Sequence, residues 1–334
     1  MRKTFAALAA LSTVTLLSGV PAQANDKLTI AVGGKTIIAY LPLPVALYHG
    51  DFAREGLDVD VQDVQNGAKA VEALVGGSAD MVYGAIDYAF LLQPKGVDIV
   101  SLFLGAHLSA IVLALPPDKA RAYKGPADLK GMTIGVTGPG GAAENMLRII
   151  LGKGGLKLSD VSSIGVGSGP TAVAAMETGK IQAISLADPV ITRLQVDGFV
   201  LPVIDTRTLE GQTFVYGGPA ALAGATTSLD YVKSHRAVIQ RYVNALVKSV
   251  KWLHTAKDEE IIAMLPREYY GGDKDIFAKV LDSNRNIYTA DGRTTPVEQQ
   301  NAYQQVIDTG RLPASQKIDI ARIFPQEFLD QANK

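Results

Sequence analysis

Ala70-Val71-Glu72-Ala73-Leu74-Val75-Gly76-Gly77 returns 102 positions later as Ala172-Val173-Ala174-Ala175-Met176-Glu177-Thr178-Gly179. Gly67 matches Gly169 at the same offset, and Leu28-Thr29-Ile30-Ala31-Val32-Gly33-Gly34 is echoed by Met132-Thr133-Ile134-Gly135-Val136-Thr137-Gly138 at an offset of 104. Between these blocks, Gly56-Leu57 has a counterpart in Gly155-Leu156. A period of roughly 100 residues is the size of a domain, not of a solenoid unit. The bland alternative is chance likeness among Ala- and Gly-rich segments. The repeated order of strand, glycine and helix signals favours two similarly wound lobes with a cleft between them.

Outward from the repeat, strand-like and helix-like periodicities alternate, the pattern of a parallel sheet with helices on both faces. In the first unit, strands are expected at Leu28–Val32, Leu57–Val61, Met81–Tyr83, Ile99–Leu104 and Ala110–Leu115, with helices at Pro44–Arg54, Ala68–Val75 and Asp87–Gln93. Pro116-Pro117-Asp118 breaks the run. The second unit is expected to place strands at Met132–Val136, Val161–Val166, Ile181–Leu186 and Val200–Ile204, and helices at Ala142–Gly152, Pro170–Thr178 and Pro189–Gln195. The chain is then expected to cross back near Thr213–Tyr216. The fold class is therefore α/β, two doubly wound lobes joined by two hinge crossings near residues 115 and 215, with a helical C-terminal region. The expected lobes are 25–115 plus 216–334, and 116–215. His235–His254 carries one apolar face through Ile239, Tyr242, Val243, Leu246, Val250 and Leu253. Trp252 belongs to that helix as a packing residue.

Composition narrows the function. The chain has 334 residues, 47% hydrophobic, and a net charge of −1, enough for two cores and without the basic surface that nucleic acid requires. There are no cysteines, which excludes thiol catalysis and cysteine-ligated metals. The four histidines, His49, His107, His235 and His254, share no metal-ligand spacing. Neither a metal nor a cofactor is expected. Arg2 and Lys3, the short apolar stretch Phe5–Leu17 and the small-residue pattern Ala22-Gln23-Ala24 read as an export signal cleaved after Ala24.

In open α/β sheets, ligands bind beyond the carboxyl ends of strands. Here those ends are Gly33-Gly34-Lys35-Thr36, Asn66-Gly67, Gly84-Ala85-Ile86-Asp87, Thr137-Gly138-Pro139-Gly140-Gly141, Gly167-Ser168-Gly169 and Ala187-Asp188-Pro189. Thr137–Gly141 precedes a helix, whose unpaired amides and positive dipole end suit an anionic group, unless its glycines only shape a turn. Asp188 followed by Pro189 is good helix initiation; Asp188 could also receive a donor from a ligand, and Asp87 is read as its equivalent. Tyr40 and the Leu41-Pro42-Leu43-Pro44 segment after the first strand could form an apolar wall, and Ile86 lies beside Asp87. His107 is either a polar cleft residue or a loop histidine. Arg193 is expected in a surface or lobe–lobe ion pair.

Enzymatic motifs fail on context. Gly138-Pro139-Gly140-Gly141-Ala142-Ala143 fits G-x-G-x-x-A, but no acidic residue closes the next strand. Ser168 lacks the glycine spacing of a nucleophile elbow. An enzyme would need a cleft Lys or His, and only Lys35, Lys69 and His107 are near.

Leu129–Val136, Gly154-Gly155-Leu156, Asp160-Val161, Ala172–Gly179, Asp188-Pro189 and, in the first unit, Gly50–Leu57 resemble the periplasmic substrate-binding proteins of ABC importers for nitrate, sulfonates and taurine. The resemblance runs from about residue 28 to 325. It implies a type II periplasmic binding fold that closes on a small organic anion and delivers it to an ABC permease, acting as a non-enzymatic monomer in the periplasm. It carries over Thr36–Leu41, Ala85–Asp87, the Thr137–Gly141 helix start and Asp188-Pro189; Gly169 joins them as a strand-end glycine. The Pro139-Gly140-Gly141 stretch lacks the hydroxyl cluster of many sulfonate binders, which leaves pyrimidine-precursor and aromatic-acid binding, or a cofactor-dependent pyrimidine-synthesis enzyme, as alternatives.

Overall fold

The computed structural model describes residues 25–64 and 66–334; the expected export signal lies outside them. Ten strands form two five-stranded sheets of identical winding. The first contains β1 (Asp26–Val32), β2 (Leu57–Asp63), β3 (Met81–Ala85), β4 (Ile99–Ala106) and β10 (Ala223–Ser228), in the order β2-β1-β3-β10-β4. The second contains β5 (Ile111–Leu115), β6 (Thr133–Val136), β7 (Ser162–Gly165), β8 (Ala183–Ala187) and β9 (Leu201–Asp205), in the order β7-β6-β8-β5-β9.

The repeat is structural. Ile30 pairs with Val61 and Met81, and Ile134 pairs with Ser163 and Ala183, so the offsets of 104 and 102 are those of paired strands. Even a detail recurs: the Thr29 amide donates to the Asp80 side chain at 2.8 Å, and the Thr133 amide to the Gln182 side chain at 3.0 Å. The same register corrects one equivalence. Ala85 and Ala187 each sit opposite the antiparallel neighbour's first residue, so Ile86, not Asp87, is the counterpart of Asp188.

Each sheet is mixed, not purely parallel. β10 runs antiparallel to β3 and β4, and β5 runs antiparallel to β8 and β9. The reason is connectivity: each of these strands arrives from the other lobe and so enters its sheet from the opposite end. Because β5 lies in the second sheet, the first crossing falls between Ala106 and Ile111 instead of near 115. Thr213–Tyr216 is not a crossing but the end of a helix, Leu209–Tyr216, and the chain returns through residues 217–222.

The crossings are pinned together. The Ala220 amide donates to the His107 carbonyl at 3.0 Å, and the Ala221 amide to the Glu298 carbonyl at 3.0 Å. His107 Nδ1 lies 3.2 Å from Glu298 Oε1. Burial alone would raise the Glu298 carboxyl, but its bonds to His107 and Thr295 outweigh that and hold it below its ordinary value. Ala110, with φ of 57°, is the one non-glycine residue with positive φ among the described residues and sits in the first crossing.

Apolar side chains explain the rest. The Arg236–Leu253 helix buries Ile239, Tyr242, Val243, Leu246, Val250 and Leu253 against one face of the first sheet, as its periodicity requires. The other face is covered by Phe90, Ala302, Val306 and Phe324. The second lobe closes on a core of its own. Trp252 packs at the edge of the first core, stacked on His49 at 4.8 Å. No helix among the described residues is long and apolar enough to cross a membrane.

Candidate functional site

Carboxyl ends of parallel strands in both sheets face one cavity between the lobes. It is lined from the first lobe by Gly33, Ile37, Ala39, Tyr40, Asn66, Gly67 and Ala85, from the second by Ile111, Thr137, Gly141, Ala142, Ala143 and Ala187, and from the crossings by Ser109, Leu222 and Ala223. The room left for the centre of a water molecule is about 60 Å³. At roughly 10–15 Å³ per water on that measure, the space suits a small solute. Among the described residues, no lysine, arginine or histidine lines it.

The polar groups are few and specific. The Ala142–Lys153 helix starts at Gly141, which has no side chain to cap it, so its first amides lack an intrahelical acceptor where Ala142 and Ala143 meet the cavity. Tyr40 is 7% exposed, and its hydroxyl has no hydrogen-bond partner among the described residues. Burial, followed by the charges of Asp87 and Asp63, pushes this phenol up, so it is held as an O–H donor. Ser109 Oγ lies 3.4 Å from the Tyr216 hydroxyl. Asn66 caps the Gly67–Val75 helix through Oδ1, 2.7 Å from the Ala68 amide, and reaches across the cleft with Nδ2, 3.3 Å from the Pro139 carbonyl.

Of the residues expected at the site, Ile37, Tyr40, Thr137 and Gly141 line the cavity. Thr36 and Leu41 turn instead toward Tyr269 and Phe277. Ile86 is core. Gly138 abuts Asn66; a Cβ there would fall 2.4 Å from its Nδ2. Gly140 lies at the lobe–lobe contact: its amide donates to Glu144 Oε2 at 2.9 Å and its carbonyl accepts from the Tyr88 hydroxyl at 2.8 Å. Gly169 and Pro189 line a separate outer groove with Tyr270 and Gly271. His107 is the hinge histidine described above, away from the cavity.

The two aspartates are absorbed by protein partners. Asp87 is 5% exposed and accepts through Oδ2 from Arg311 Nη1 at 2.5 Å and from Asn145 Nδ2 at 3.0 Å. Asp188 is 1% exposed; Oδ1 accepts from the Thr192 amide at 2.8 Å, and Oδ2 from Arg207 Nη1 at 3.0 Å and Asn284 Nδ2 at 2.7 Å. Burial would lower the Arg207 guanidinium, but Asp205 and Asp188 more than offset this and keep it charged. Arg193 pairs across the lobes with Asp273 at 2.7 Å, as expected of it. The strand-end rule found Ile37, Tyr40, Thr137 and Gly141; it gave no sign of Ser109, Leu222 or Ala223, which reach the cavity from the crossings.

Known proteins share this architecture. A solved structure from Bordetella bronchiseptica RB50 is 36% identical, with a TM-score of 0.87 over 92% of this chain and 97% of that one. The alkanesulfonate-binding protein of Xanthomonas axonopodis pv. citri, solved with MOPS bound, has the same fold at 18% identity and a TM-score of 0.70, over 90% of this chain and 98% of its own. A desulfurization enzyme also has it, at 17% identity and a TM-score of 0.62 over 92% and 99% of the two chains. A Brucella abortus (strain 2308) protein described as a candidate binding protein is 26% identical over 257 residues, 76% of this chain and 73% of that one. The two-lobe fold expected from the nitrate and sulfonate binders is therefore the one observed. Residues 23–265 match the model of the NMT1-like family, and the chain belongs to that family.

Proposed function

We propose that this protein is an exported solute receptor that closes its lobes on one small organic anion and passes it to an ABC permease, working in the periplasm as a monomer without catalysis. One observation carries the reading: the cavity sits at the strand ends of both lobes and meets an uncapped helix start. An anionic group held by the Ala142 and Ala143 amides needs no cationic side chain, because the helix end supplies roughly half a positive charge. Ile37, Ala39 and Leu222 would cover the ligand's apolar part, and the Tyr40 hydroxyl would donate to it. The apolar walls argue for a carbon skeleton, and the small volume argues for a short one. Among the described residues, the lining side chains offer no paired acid, base or nucleophile to turn a bound molecule over.

Thermal unfolding in the presence of short carboxylates, sulfonates, aromatic acids and pyrimidines tests this. A true ligand at a hundredfold its Kd adds about 2.7 kcal/mol to stability and raises Tm by several degrees. A panel in which nothing shifts Tm while one compound is consumed would replace the receptor with an enzyme.

A further inference from the structure

The two buried aspartates that left the ligand site have a common design. After β3, Asp87 is held by Arg311 of its own lobe and by Asn145 of the other. After β8, the strand equivalent to β3, Asp188 is held by Arg207 of its own lobe and by Asn284 from the opposite side. Asn145 and Asn284 are both 0% exposed. Asn284 ends the Lys274–Asn284 helix, whose Ile276, Phe277, Val280 and Leu281 belong to the first lobe's core. The two arrangements therefore run head to tail: each lobe supplies one charged pair and one asparagine.

We propose that Arg311–Asp87–Asn145 and Arg207–Asp188–Asn284 are paired latches that hold the cleft closed and set how much ligand binding energy is needed to close it, an inference that rests on the receptor reading of the cleft. The physics favours a reversible device. Each carboxylate is neutralised inside its own lobe, so opening carries the ion pair away intact and strands no charge. Within each latch only a neutral amide crosses the gap. Closure gains an amide bond to a charged acceptor, stronger than a neutral one. It also leaves Asn145 Oδ1, Asn284 Oδ1 and Asp87 Oδ1 buried without partners among the described residues. Opening would hydrate those oxygens. The bonds outweigh this loss only modestly, so the balance can be tipped by a ligand's contacts with both lobes.

Secondary contacts follow the same two lines. The Arg311 guanidinium stacks 5.1 Å over the Tyr88 ring, whose hydroxyl donates across the cleft to Gly140. The Ile38 amide donates across it to the Asp188 carbonyl at 3.2 Å.

Because the chain has no cysteine, spin labels can be placed without background. Labels at Lys180→Cys and Lys279→Cys, exposed positions in opposite lobes, report the opening by pulsed EPR on protein stripped of ligand by unfolding and refolding. The parent protein should show a dominant short distance. Asn145→Ala and Asn284→Ala should each raise the long-distance population about tenfold, and the double variant more. Asn284→Asp, which sets a carboxylate against Asp188, should open it furthest, and serves if the alanine variants fold poorly. Folded variants with an unchanged distance distribution would overturn the latches. A shifted distribution with no ligand found in any screen would leave them standing and remove the receptor reading alone.

Discussion

The two lobes are wound alike, yet they offer the cavity different chemistry. After β1 the first lobe inserts Gly33–Leu41, and Ile37, Ala39 and Tyr40 enter the cavity as side chains. After β6 the second lobe goes at once, through Thr137–Gly141, into a helix whose start it leaves bare. One lobe supplies a wall and a hydroxyl; the other supplies main-chain amides. A repeated framework thus need not give a symmetric site. The divergence that shapes the cavity lies in the few residues between a strand end and the next helix, where it costs the sheets nothing.

The strongest way to break this comparison is at Gly33. A Cβ there would lie 2.5 Å from the Gly67 amide nitrogen and 2.8 Å from the Asn66 carbonyl carbon, backbone atoms that cannot rotate away. Gly33→Val should cost about 1–3 kcal/mol in denaturant unfolding and abolish ligand binding by calorimetry, because the displaced segment lines the cavity. Retained affinity would detach the first lobe from the site. A finer test sets the wall against the amides. Tyr40→Phe should weaken binding by roughly 1 kcal/mol, about fivefold, with stability unchanged, since the hydroxyl bonds nothing among the described residues. Thr137→Val should do less, because the second lobe's share rests on its main chain. An inverted order would mean that both lobes work through side chains.

The smallest effect belongs to the hinge both lobes share. The folded Glu298 carboxyl lies below its ordinary value near 4.5, so its stabilising bonds are fully present above that value. They are lost as pH falls through the lowered folded value. Glu298→Gln should therefore flatten the decline in Tm below about pH 4.5, and a decline of unchanged steepness would show that the hinge does not depend on this charge.

Much of this was legible in the residues. The repeat offsets proved to be strand registers, and alternation placed nine strands within a few residues. β10 was not legible, because in Ala223-Gly224-Ala225-Thr226-Thr227-Ser228 only the two threonines favour a strand, and no Val, Ile or aromatic residue accompanies them. Its smallness is imposed by its neighbours: a Cβ on Gly224 would fall 2.0 Å from the Phe103 carbonyl oxygen. The partners of the aspartates were not legible for a different reason. A carboxylate at a strand end looks ligand-directed until its partners are known, and Asp87 finds them 58 and 224 residues away. Periodicity carries no information at that range.

The exchanged strands bear on how the molecule is made. All five strands of the second sheet fall within residues 111–205, so that lobe is complete once its own stretch is available. The first sheet has a gap between β3 and β4 until residues 223–228 fill it, and its covering helices come later still. The lobe that begins the polypeptide is thus the last to finish. A chain truncated after residue 216 would keep a whole second lobe beside a first one with its centre missing.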